Sequence, residues 1–220
     1  MKLPNYLTSI CLLALSGCFT VPMNRDYRGP SKRPASVQEY YQYNKNNSYQ
    51  FVSKEQVHKD SALTQERIQL ETEAGILTLD YFHGAEPSEE LVLVFPILGG
   101  RKNMIASYFA DYFARNGMDT AIVHRDEKFK DPNYIDQLEE ILKLSVIRDR
   151  IALDYFEKEH HKKRFASFGI SRGAINVAIT AGVDPRLKFN VMALGGTSLV
   201  KLFSESKERR IKRYRQTVQQ

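Results

Sequence analysis

The sequence predicts an α/β domain built on a mostly parallel sheet, and three observations carry that expectation. Leu91-Val92-Leu93-Val94-Phe95 is apolar at every position, as a parallel strand covered on both faces requires. From there strand-like and helix-like patterns alternate along the chain, the order that builds a parallel sheet with right-handed crossovers. In Arg164-Phe165-Ala166-Ser167-Phe168-Gly169-Ile170-Ser171-Arg172-Gly173-Ala174 a short apolar run enters Gly-x-Ser-x-Gly, and a helix-compatible segment follows at once.

The elements can be taken in order. Arg67 to Thr72 alternates as a half-exposed strand does, Ala74-Gly75 turns the chain, and Ile76 to Phe82 is a second strand. Together they predict an antiparallel pair on the N-terminal side. After Phe95, the segment Pro96-Ile97-Leu98-Gly99-Gly100-Arg101-Lys102 leads into a helix, with Asn103 as N-cap and Gly117 as its stop. Met104, Ile105, Tyr108, Phe109, Tyr112 and Phe113 recur there at helical spacing and are expected in the core. Thr120 to Val123 is the next strand, and Asp131-Pro132-Asn133 turns the chain. A long helix is expected from Ile135 to about Glu159, with Leu138, Leu142 and Val146 facing inward. Beyond Ser171 come a helix closed by Gly182, a strand from Phe189 to Leu194 and a basic helix over 201–215, making six strands in all.

The chain has 220 residues, 42% hydrophobic and 26% charged, with no Trp, which suits one domain plus appendages. The net charge of +6 is concentrated. Residues 201–220 hold seven basic side chains against two acidic ones, so the remainder is close to neutral and no nucleic-acid partner is expected. The basic run reads as a solvated helix face, with contact to anionic lipid as the alternative.

Lys2 and the short apolar run Tyr6 to Leu15 form a leader too short to span a bilayer, closed by Leu15-Ser16-Gly17-Cys18. That tetrapeptide resembles the lipobox of bacterial lipoproteins. The resemblance implies a signal peptide over 1–17, an acylated Cys18, and a lipid-anchored protein of the cell envelope; an ordinary secretory leader is the alternative. Phe19 stands where Asp would favour the inner membrane, so the outer membrane is expected. Residues 18–61 read as a tether, whose Tyr40, Tyr41, Tyr43 and Tyr49 would pack loosely on the domain. Both cysteines lie in the first 18 residues, so the domain over 62–220 would have no thiol, and no metal or other cofactor is expected.

A serine on a sharp strand-to-helix turn is held in a strained backbone with its hydroxyl clear of the sheet. Residues two before and two after it must be small, and Gly169 and Gly173 meet that need. This resembles the nucleophile elbow of the α/β-hydrolases, over about residues 62–215. The resemblance implies Ser171 as nucleophile, backbone amides of Leu98 (or Gly99) and Arg172 as oxyanion hole, and a small-molecule ester or acyl substrate cleaved through an acyl-serine. The same turn also resembles the phosphate-binding loop of short-chain dehydrogenases, but Ile175 replaces the third glycine and the turn lies late in the chain.

In the α/β-hydrolases the acid and then the histidine follow the nucleophile. Here His58, His83, His124, His160 and His161 all precede Ser171, and only Asp184, Glu205 and Glu208 supply carboxylates after it. His124 ends a strand two places from the elbow strand, about 10 Å away. The family resemblance therefore implies a C-terminally incomplete domain, with six strands where eight are usual and Phe189–Leu194 left as an apolar edge. Two functions stay open: an impaired serine hydrolase, or a hydrolase fold kept for a binding or structural role, whose protein partners the sequence does not indicate.

Overall fold

The structure, a computed structural model, describes residues 35–86, 88–97, 103–196, 204–207 and 209–218. The leader, Cys18 and the expected oxyanion residue Leu98 lie outside the described residues.

Helix α1 (Ala35–Tyr40) precedes three strands, β1 (Gln50–Lys59), β2 (Thr64–Thr72) and β3 (Gly75–His83). Then come β4 (Glu90–Phe95), α2 (Met104–Arg115), β5 (Asp119–Val123), α3 (Leu138–Glu159), β6 (Arg164–Ile170), α4 (Arg172–Val183), β7 (Leu187–Ala193) and α5 (Arg209–Val218). Two 3-10 turns, Glu127–Lys130 and Pro132–Gln137, link β5 to α3. The described strands form one sheet in the order β1-β2-β3-β5-β4-β6-β7. Strands β5, β4, β6 and β7 are mutually parallel, while β1, β2 and β3 form an antiparallel ribbon joined to β5 antiparallel through β3.

Strand β4 lies between β5 and β6, and its alternation explains its composition. Leu91, Leu93 and Phe95 enter the core beneath α3 and α4, with Ile147, Ile151 and Val177. Val92 and Val94 enter the other core, beneath α2, with Ala106, Ala110 and Ala114. With both faces covered from Leu91 to Phe95, those five positions are all apolar, and the one charged residue, Glu90, stands at the half-buried start of the strand.

Two expectations about helices are corrected. In α2 it is the alanines at 106, 110 and 114 that face the sheet, whereas Met104, Tyr108 and Tyr112 are more than half exposed. Small side chains let the helix lie close over Val92, Val94 and Ile122, and only Phe109 and Phe113 keep ring contact with the sheet, through Phe168. In α3 Val146 faces inward as expected, but Leu138 and Leu142 are only half-buried and the covered stripe includes Ile141, Ser145 and Asp149 instead. At the start of α2, Asn103 takes a left-handed conformation, φ 55°, and makes no side-chain cap.

The N-terminal segment is corrected as well. Residues 50–59, read from the sequence as tether, form the seventh strand β1 at the sheet edge. Upstream, the tyrosines are fastened rather than loose. The hydroxyls of Tyr40, Tyr43 and Tyr49 donate to Glu139 (2.7 Å), Asp154 (2.8 Å) and Glu159 (2.7 Å), all within α3. Lys143, Arg150 and Lys158, on the same helix, stand over the three rings. The segment 40–49 is thus laid along α3. At the opposite edge, β7 exposes Phe189, Val191 and Met192. No described helix is long and apolar enough to cross a membrane.

Candidate active site

Ser171 sits between β6 and α4 at φ 56°, ψ −116°. A non-glycine residue in that region costs on the order of 1–3 kcal/mol and persists only where its surroundings impose it. The imposition is visible. A Cβ on Gly169 would lie 2.3 Å from the carbonyl oxygen of Gly173, and one on Gly173 would lie 2.0 Å from that of Phe95. Strand β6 thus touches the first turn of α4, which in turn touches the end of β4, and only glycine fits at either point. The Ser171 amide donates to the Ala193 carbonyl of β7 (2.8 Å), and the Ser171 carbonyl accepts from Ala174 (3.0 Å). The turn is held on both sides while the serine remains exposed.

Arg172, expected to supply an oxyanion amide, is the first residue of α4, where helix amides point out along the axis toward an anion. Its side chain is buried, with the guanidinium 3.8 Å from the ring centroid of Phe129. Phe129, in the first 3-10 turn, was not singled out from the sequence, since nothing local pairs it with residue 172.

A buried ion pair joins the residue after His124 to α3 and α4. Arg125 donates to Asp149 of α3 (2.5 and 3.3 Å), and the Thr180 hydroxyl of α4 donates to the same carboxylate (2.9 Å). The Arg125 guanidinium also covers the Phe95 ring at 4.6 Å. Burial pushes the Asp149 carboxyl up, against the opposing pull of Arg125. A charge repeatedly placed among apolar helix positions was the available signal.

The histidines lie away from Ser171. His124, at the end of β5, places Nε2 2.8 Å from Asp80 of β3, which Arg67 of β2 also holds through two bonds (2.7 and 3.0 Å). Burial alone would raise the Asp80 carboxyl, yet the hydrogen bonds from His124 and Arg67 hold it below its ordinary value. Because β3 is on the side of β5 opposite to β4 and β6, His124 is tied away from the elbow. His160 and His161 precede β6, and His83 ends β3 beside the start of β5, so these three lie at the opposite end of the strands from Ser171. His58, near the end of β1, lies there too, 3.6 Å from Asp60. Asp184 is buried and bonded to Arg150 and Arg186, which hold its carboxyl below the ordinary range against burial. Among the described residues no group of three or more His, Cys, Asp or Glu could hold a metal.

No family model matches the sequence, and no curated protein matches it. Solved structures do. A cold-adapted esterase from an Arctic intertidal metagenomic library aligns at 17% identity and TM-score 0.51, over 60% of this chain and 61% of its own. Acetyl xylan esterase 1 from Thermoanaerobacterium sp. JW/SL YS485 aligns at 12% identity and TM-score 0.57, over 90% of this chain and 77% of its own. An acetyl xylan esterase of Bacteroides fragilis NCTC 9343, described as putative in its structure report, aligns at 15% and 0.57, over 86% and 60%. The chain thus spans about three fifths of the length of the cold-adapted esterase. At these identities the likeness is one of architecture, and the chain is built on the α/β-hydrolase fold.

Proposed function

We propose that the chain is a serine hydrolase that cleaves ester bonds through an acyl-Ser171 intermediate, anchored by an acylated Cys18 in the bacterial outer membrane. The observation that carries the chemistry is the strained backbone of Ser171 between two glycines that admit no Cβ. The serine oxygen attacks the ester carbonyl carbon, and the negative charge gathers on the carbonyl oxygen beside the amides of Arg172 and Leu98. The bond to the alcohol then breaks, the alcohol leaves with a proton, and water releases the acid in a second attack.

The serine proton needs a base, and none of the five histidines stands against Ser171. That placement favours a second reading, a hydrolase fold that binds without turnover. In a well-studied protease, loss of triad members left a residual rate about 10³–10⁴-fold over water. The same residual is expected here.

The test is labelling by a fluorophosphonate and hydrolysis of p-nitrophenyl acetate. Weak labelling and slow hydrolysis, both lost in Ser171→Ala and both kept in His161→Ala, support the hydrolase. A folded chain that does neither supports the binding reading. Cys18→Ser releasing the protein from membranes supports the anchor, and an unmodified soluble N-terminus overturns it.

A further inference from the structure

The elbow leaves one built feature unused, the open groove around the Arg67–Asp80–His124 network. It has a volume of about 630 Å³, within the range of about 300–1,000 Å³ usual for small-molecule sites. The ribbon β2–β3 forms one wall, the start of α2 another, and His124 closes it at the end of β5.

Its lining is unlike an acyl pocket. Gln65, Gln69 and Asn103 contribute carboxamides and Thr78 and Ser107 hydroxyls, groups that both donate and accept hydrogen bonds. Val57 is the aliphatic residue of the lining. The charges are already spent within the wall. Both Asp80 oxygens accept from Arg67, and one also meets His124, so the Arg67 cation is neutralised by a two-bond partner. An anionic ligand would find no uncompensated cation, and an aliphatic chain would strip water from amides and hydroxyls without replacing it.

We infer that this groove binds a neutral, polyhydroxylated ligand, a sugar or similar polyol, through its carboxamide and hydroxyl side chains. The fixed Arg67–Asp80–His124 network makes the floor rigid, so little ordering is needed on binding. His124 and Ser171 follow the ends of parallel strands separated by β4 alone, two strand spacings or about 10 Å apart. A polyol held in the groove would be the alcohol side of the ester. That link to turnover rests on the proposed hydrolase activity; the binding does not.

The test is calorimetry on the full chain carrying Ser171→Ala, which removes turnover. The probes are the neutral disaccharides xylobiose, cellobiose and chitobiose, with galacturonate and inorganic phosphate as anionic controls. Saturable binding of a neutral disaccharide, weakened at least about fivefold by Gln69→Ala and by Ser107→Ala and unchanged by Lys158→Ala, is expected. The inference is overturned if none of the disaccharides binds, if either anion binds more tightly, or if both groove variants bind as before. Thermal melts of each variant verify folding. Binding without ester hydrolysis by the unsubstituted chain would keep the groove and remove the hydrolase; hydrolysis without disaccharide binding would do the reverse.

Discussion

The Gly173 backbone lies so close to the end of β4 that a Cβ on it would fall 2.0 Å from the carbonyl oxygen of Phe95. Three elements therefore meet without side chains between them: β4 at Phe95, α4 at Gly173 and β6 at Gly169. The left-handed backbone of Ser171 follows from that convergence, since the chain must reverse from strand to helix within the gap. The strain is a property of the packing rather than of the serine itself.

Gly173→Ala should accordingly destabilise the fold by more than about 2 kcal/mol, as overpacking against rigid backbone does. Gly182→Ala, in the same helix, meets nothing within 4 Å and should be neutral or stabilising by up to about 1 kcal/mol. Urea unfolding of the two variants beside the parent measures the contrast. Equal midpoints would remove the steric account of the elbow.

Much of this geometry was legible locally. Strand β4 declares itself by five consecutive apolar residues, Leu91 to Phe95, Gly75 and Gly117 mark turns at positive φ, and the elbow lies within five consecutive residues. What was misread needed distant partners. Strand β1 is exposed along its whole length, so burial leaves no alternation in Gln50–Lys59 to read. On α2, residues 104, 108 and 112 and residues 106, 110 and 114 have the same spacing. Periodicity finds both stripes, and only the closeness of the sheet selects the alanines. Asp80 and His124, 44 residues apart, become neighbours only when β3 pairs with β5.

His160 supplies a pH-dependent contribution to stability. Its ring packs on Tyr81, Tyr155 and Phe156 at centroid distances of 4.8, 5.4 and 5.2 Å. Burial, aided by the charges of Lys54 and Lys162, pushes its pKa down from 6.5 to about 4. The unfolded chain therefore binds this proton first as pH falls. The neutral ring's stabilisation is complete above about 6.5 and is lost as pH drops toward about 4. His160→Phe should flatten that limb, by about 1–2 kcal/mol after allowance for solvent screening of the partly exposed ring. Asp80 and Asp184, held below their ordinary value of 3.8, lose their contribution only at lower pH, so the two effects separate. Urea melts across this range check the difference, and parallel pH profiles for parent and variant would refute it.

The buried pair Arg125–Asp149 lies where the elbow's supports converge. Asp149 is on α3 and its second partner Thr180 on α4, while Arg125 leaves β5 and covers the ring of Phe95, the residue that abuts Gly173. With side chains 4% and 0% exposed, neither charge can turn to water if the other is removed. Arg125→Met should therefore cost about 3–5 kcal/mol, and the double variant Arg125→Met, Asp149→Leu should cost less than either single change. The sign with pH follows from Asp149. Burial already raises its pKa, and loss of Arg125 removes the main opposing influence, so the folded variant holds the proton more tightly than the unfolded chain. The penalty of Arg125→Met should then be smaller in acid than at neutral pH, growing as pH rises through the raised pKa. Denaturant unfolding of the two single variants and the double, at acid and neutral pH, gives both results. A double variant as damaged as the sum of the singles would show that the two side chains contribute independently.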